Sequence, residues 1–237
     1  MKMHCKAVTI CACTSRTFMD KKKVAGITAT LRSNGYLVDI KDDLCRLVAD
    51  DPNQIIKVKE GTIIACHTRV VNNHMNWLGI TPGTIIEARK NSSEEILSEF
   101  GLEEDKTSQT TDDIYKEIDA LPVHKDHDAW YPVIDKSKCT ECGKCHDFCL
   151  FGVYTTENKQ VKVTNPHNCK TNCPACARMC PCQAIIFPKY EKSPINGGTE
   201  MEEVFTEEDK AEMYQKRLQY RLQQNRNRFS MLKRDKS

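Results

Sequence analysis

Nine of the fourteen cysteines in this 237-residue chain fall within forty-four residues, from Cys139 to Cys182. They form two runs, Cys139-x2-Cys142-x2-Cys145-x3-Cys149 and Cys169-x3-Cys173-x2-Cys176-x3-Cys180-Pro181. Three thiolates at such short separations can wrap one face of a [4Fe–4S] cube, but the loop cannot carry a fourth round to the far iron. Each run therefore needs a ligand from elsewhere. Structural zinc and disulfides are the competing chemistries. Zinc sites use paired cysteine hooks with four ligands per ion, and two runs of four ending in Cys-Pro are a poor match. Disulfides need an oxidising compartment, and no signal peptide is expected.

This stretch resembles the bacterial two-cluster [4Fe–4S] ferredoxins, over residues 129–190. In that family the last cysteine of each run ligates the cluster of the other run. The resemblance implies one cluster on Cys139, Cys142, Cys145 and Cys180, and a second on Cys169, Cys173, Cys176 and Cys149. There are departures from the pattern. Leu150 stands where a proline usually follows the first run, Cys169 and Cys173 are separated by three residues rather than two, and Cys182 is a spare thiol that can compete with Cys180.

The elements that must position the remaining cysteines lie in residues 1–90. An apolar run over 6–13 predicts a buried strand ending in Cys11 and Cys13. Asp20 as N-cap, Val24, Ile27 and Leu31 at helical spacing, and Gly35 as terminator predict a helix. Tyr36 to Ile40 reads as a strand, and a short helix begins near Asp42 and closes at Asp50-Asp51-Pro52, with Cys45 on it or just before it. Thr62 to Cys66 is a further strand, followed by a helix over Val70 to Trp77 and a last strand from Thr84 to Ala88. Alternating strands and helices predict a small open α/β sheet whose ligands gather beyond the carboxyl ends of the strands, where Cys11, Cys13 and Cys66 would sit.

Cys11-x-Cys13, the mid-domain Cys45, and Ala65-Cys66 with Arg69 close behind resemble the N-terminal iron–sulfur domain of the flavin-carrying subunit of heterodisulfide reductase. The resemblance implies a third [4Fe–4S] cluster on Cys11, Cys13, Cys45 and Cys66. Ordinary buried thiols and a reactive dithiol remain the alternatives. Cys5 has no evident partner. His67 and His74 can hydrogen-bond a cluster sulfur, although a lone histidine is more often a solvated or core residue.

No Gly-x-Gly-x-x-Gly fingerprint, phosphate loop or nucleophile elbow occurs, so no flavin or nucleotide site is expected. No apolar run approaches the roughly 20 residues of a membrane helix, and a cytoplasmic, oxygen-sensitive protein is expected. The formal charge of +2 hides segregation. Residues 91–128 hold twelve acids against three lysines, expected as a short helix from Ser92 to near Leu102, a flexible linker over Glu103 to Asp112 and a helical patch to Leu121. A solvated spacer is the favoured role, with an acidic docking face as the alternative. The linker permits either a docked or a mobile arrangement.

Residues 191–237 are expected as a linker and a basic amphipathic helix, capped by Thr206, with Tyr214, Leu218, Leu222 and Phe229 as its stripe. The expected fold class is α/β plus α+β: a small open α/β sheet domain, then a two-cluster ferredoxin-like domain and a C-terminal helix. The expected function is single-electron transfer between a donor, a ferredoxin or flavoprotein, and a partner oxidoreductase subunit of heterodisulfide-reductase-like type. Lys138, Lys144 and Arg178 are candidate tuners of the clusters. The competing functions are a disulfide or persulfide reductase using the N-terminal cysteines, and an iron–sulfur sensor whose basic tail binds nucleic acid; nucleic acid is not the expected partner.

Overall fold

A four-stranded parallel sheet has the order β2-β1-β3-β4, with β1 at Ala7–Cys11, β2 at Leu37–Lys41, β3 at Thr62–Ala65 and β4 at Ile85–Glu87. The computed structural model describes residues 7–16, 18–56, 61–103, 108–123 and 128–199, with a few positions between 211 and 223. Parallel strands are buried on both faces and so read as continuous apolar runs; Ile10, Ile63 and Ile64 are fully buried. Chain order on the sheet reverses between β1 and β3, which makes their carboxyl ends the switch point at which open α/β sheets form a crevice. Cys11 closes β1, and Cys66 follows β3 directly.

Local chemistry sets the helices. Helix α1 (Lys21–Ser33) begins where the Asp20 carboxylate accepts from Lys22 N, and ends before Gly35 at φ +79°. Helix α2 (Leu44–Asp50) is capped by Asp43, whose side chain accepts from Cys45 N and Arg46 N. Helices α3 (Pro52–Ile56) and α4 (Thr68–Trp77) complete the crossovers. Helix α5 (Ser93–Ser98) carries a full capping box between Ser92 and Glu95.

The acidic connection departs from expectation. Helix α6 (Ser108–Asp119) begins inside the stretch expected as flexible linker. Ile114 and Ile118 are buried in the core of the sheet, while Glu117 and Asp119 pair with Arg32 and Lys21 of α1. The helical patch expected to Leu121 is present but starts earlier, and it is packed rather than solvated, because the four-residue step between the isoleucines supplies an apolar face and α1 supplies the opposite charge.

In the cysteine-rich half, β5 (Val133–Ile134) pairs antiparallel with β8 (Ile185–Ile186), and β6 (Tyr154–Glu157) with β7 (Gln160–Val163). The hairpin turn holds Asn158 and Lys159 at φ of +51° and +63°, the left-handed pair that suits the twist of a two-residue loop. Helices α7 (Lys144–Phe148) and α8 (Ala175–Met179) occupy the same place in each run. The described residues thus show a mixed α/β architecture, compatible with an open sheet joined to a ferredoxin-like unit. The stripe of the expected C-terminal helix, Tyr214, Leu218, Leu222 and Phe229, lies outside the described residues, as do Cys5 and Thr206.

The two parts are docked. Cys45, Cys66 and Val70 share an apolar cluster with Ala129, Tyr131, Val133 and Ile186, against which Cys169 also packs. Arg69 reaches across to Asp135 Oδ2 at 2.6 Å and Gln183 O at 2.6 Å. Arg16 bonds Asp128 and Asn172, each at 2.7 Å. Gly197, at φ +96°, faces this seam; a Cβ there would lie 2.7 Å from Val70 Cγ2 and 3.3 Å from Ile186 Cγ2. Val70 is buried in a helix, where a β-branched side chain has one favoured rotamer and cannot turn aside. Gly197→Ala is therefore expected to cost about 1–3 kcal/mol, read as a lower urea midpoint with unchanged slope. An unchanged midpoint would mean that the seam is loose.

Candidate functional site: three groups of thiols

Two loops and a helix start build the N-terminal group. Cys11 ends β1, Cys13 follows it at φ +50°, Cys45 lies in the first turn of α2, and Cys66 follows β3. All four are 4–8% exposed. Burial pushes the Cys11 and Cys45 thiols well up, with Cys13 and Cys66 adding to both, and burial followed by Cys13 brings Cys66 to about 11. Cys13 and Cys66 thus lie within electrostatic reach of both Cys11 and Cys45. Leu44 N donates to Cys11 Sγ at 3.5 Å.

A lysine from the other half completes this group. Lys189, just past β8, places Nζ 3.2 Å from Cys13 Sγ and 2.7 Å from Asp43 Oδ2. Burial opposes the charge on both partners. Cys45 and Asp43 nevertheless raise the Lys189 ammonium well above its usual range, and Lys189 draws the Asp43 carboxyl below its own. Tyr131, also from the second half, donates its hydroxyl to the Cys45 carbonyl. Its single proton is spent there, so the 3.2 Å contact with His74 Nε2 requires the histidine to donate. Burial holds His74 down at about 4, hence neutral. His67 Nδ1 lies 3.1 Å from Glu87 Oε1. Both histidines are thus engaged with oxygen partners rather than shown on a thiol.

The other two groups come from the runs. In each, two cysteines lie in a loop, the third on the short helix, and the fourth at that helix's C-cap in extended conformation: Cys149 at φ −74°, ψ 121° and Cys180 at φ −77°, ψ 113°. An extended cap turns the chain away from its own loop. Cys180 accordingly raises Cys139 and Cys145 after burial, and Cys149 raises Cys169 and Cys176 after burial; Cys145 and Cys169 each reach about 12. Cys149, Cys169, Cys173 and Cys176 line one cavity with Pro132, Phe148 and Tyr154. Tyr154 Oη donates to Cys176 Sγ at 3.1 Å, and Ala184 N to Cys180 Sγ at 3.3 Å. Cys182 Sγ lies 3.4 Å from Thr140 Oγ1. Cys142 is exposed.

The donor sets suit an iron–sulfur group. All thirteen described cysteines are free thiols. Among the described residues no group of three or more His, Cys, Asp or Glu side chains is arranged to hold a single metal ion. N–H and O–H groups aimed at sulfur, and walls of aliphatic and aromatic side chains, are what such clusters use for tuning. Sequence reasoning named every cysteine in these groups but missed Asp43, Tyr131 and Lys189. Of the expected tuners, Arg178 bonds the Tyr190 hydroxyl at 3.0 Å, and Lys138 and Lys144 are exposed.

No protein-family model matches the chain. It is similar to an uncharacterized ferredoxin of Methanocaldococcus jannaschii, 52% identical over 68 residues, which make up 28% of this chain and 45% of that protein. The chain therefore spans less than half the length of that relative. The similarity supports a ferredoxin-type domain here. No helix among the described residues is long and apolar enough to cross a membrane.

Proposed function

We propose that this chain is an iron–sulfur electron-transfer protein, or subunit, serving a donor such as a ferredoxin or flavoprotein and a partner oxidoreductase of heterodisulfide-reductase-like type. Cys139, Cys142, Cys145 and Cys180 would hold one [4Fe–4S] cluster, Cys169, Cys173, Cys176 and Cys149 a second, and Cys11, Cys13, Cys45 and Cys66 a third. When bound, each such group takes up or releases one electron. What supports the reading is that Cys180 and Cys149, the last cysteines of the two runs, each act on thiols of the opposite run, and that four further cysteines lie buried at one end of the parallel sheet.

The chain's own residues hold, insulate and tune. The seam of Val70, Tyr131, Val133 and Ile186 keeps water from the Cys45 and Cys66 side and sets Cys169 of the second run against it. Cys142 leaves the first run open to solvent, the side from which a partner protein can approach. Burial of the N-terminal thiols also speaks against a substrate disulfide reaching them, which favours electron carriage over reduction at that site. Thiol-ligated clusters of this kind call for a reducing, anaerobic cytoplasm.

Anaerobic expression with iron and acid-labile sulfide analysis, and EPR of the reduced protein, tests the reading. About twelve of each per chain are expected for three [4Fe–4S] groups. About eight would return the N-terminal cysteines to thiol chemistry, and zinc in place of iron would refute the whole assignment.

A further inference from the structure

Lysine is almost never fully buried unless paired, and Lys189 is 1% exposed. Its pairing with Asp43 accounts for the burial but not for the place. A buried ion pair is a weak source of stability, and an apolar pair of similar volume would fill the same space. The ammonium stands against both the carboxylate and a sulfur of the N-terminal group, 3.2 Å from Cys13 Sγ. Asp43 is held in turn by its role as the α2 cap and by the Ser15 hydroxyl.

We propose that Lys189, supplied by the cysteine-rich half, is the residue that sets the reduction potential of the group bound at Cys11, Cys13, Cys45 and Cys66. The inference rests on the proposed third cluster. A fixed positive charge in hydrogen-bond contact with a ligand sulfur favours the more negative, reduced form of the centre, and in a dry, low-dielectric site that bias is little screened. Asp43, 2.7 Å from the ammonium, works in the opposite sense. Because the ammonium arrives only when the two halves meet, the potential of this site depends on their docking. Lys189 is a tuning residue, not a ligand.

The test is an EPR-monitored redox titration of the anaerobic full-length protein, with iron analysis on every sample. The N-terminal signal is identified as the one lost in Cys66→Ser. In Lys189→Met it is expected to move to lower potential, and in Asp43→Asn, which keeps a helix-capping side chain, to higher potential, with the other two signals unmoved. A purely structural role for the pair would move both variants the same way. The double variant K189M/D43N leaves no buried charge unpaired and carries the test if a single variant fails to fold. It is expected to keep its iron and to titrate below the wild type, since the charge in contact with sulfur is gone. Unmoved potentials at full iron content would overturn the inference while leaving the third cluster intact; so would loss of about four irons from the double variant, which would make the pair a holder of the site. A wild type with about eight irons, unaffected by Cys66→Ser, would remove the third cluster and this inference together.

Discussion

Replacing Lys189 alone by methionine is expected to cost about 3–5 kcal/mol of stability, and replacing Asp43 by asparagine in the same chain is expected to return most of that loss. Both charges are almost wholly desolvated. Removing the ammonium leaves a carboxylate with no counter-charge in an apolar seam, and the Ser15 hydroxyl and the two α2 amides offset only part of its lost hydration. Asparagine keeps the cap on α2, so the second substitution removes the stranded charge without exposing the helix start. The measurement is a double-mutant cycle from urea unfolding of the full chain under anaerobic conditions, followed by fluorescence of buried Trp130. A strong favourable coupling is expected. Simple additivity of the two losses would show that the charges do not meet in solution, and with them the docked arrangement would fall.

The second large effect concerns the proposed crossing of ligands between the runs. Cys149→Ala is expected to lower the iron content from about twelve to about eight per chain, and Cys180→Ala to do the same through a different cluster. The proof lies in the spectra. Cys149 closes the first run in sequence, yet it raises Cys169 of the second run and, more than Cys145 does, Cys176. The EPR spectrum of Cys149→Ala should therefore match that of Cys173→Ala and differ from that of Cys142→Ala. Cys180→Ala should pair with Cys142→Ala, because Cys180 raises Cys139 and Cys145. Cys182→Ala is expected to keep about twelve irons, as its sulfur lies at the Thr140 hydroxyl. The reverse pairing of spectra would mean that each run closes its own cluster, and a loss on Cys182→Ala with none on Cys180→Ala would exchange those two ligands.

Much of the fold is legible in the order of the amino acids, because its signals are local. The Asp20 cap, the Val24, Ile27 and Leu31 spacing and Gly35 bracket α1 within one or two residues, and the Ser92 capping box starts α5. Apolar runs ending in Cys11 and Cys66 locate two strands of a parallel sheet, since burial on both faces leaves no polar alternation to misread. The expected linker over Glu103 to Asp112 is too long because its composition speaks of solvation, while Ile114 and Ile118, four residues apart, have a face of α1 to cover. The spacing of eight cysteines names two of the candidate groups, since short loops restrict what their thiols can wrap. Of the N-terminal four, Cys11, Cys13 and Cys66 are legible at one edge of the expected sheet, whereas Cys45 joins them only through a resemblance, because it reaches that edge on a helix start rather than a strand end.

Strand order, docking and charge placement belong to the tertiary structure. Nothing near Lys189 distinguishes it from the chain's many solvated lysines; it is 176 residues from Cys13 and 146 from Asp43, and becomes a buried cation only once β8 carries it into the seam. Tyr131 meets Cys45 across 86 residues for the same reason. Periodicity, caps and cysteine spacing are short-range features that a chain declares wherever they occur. The partners of a buried charge are chosen by which surfaces exclude water together, and only the folded, docked molecule makes that choice.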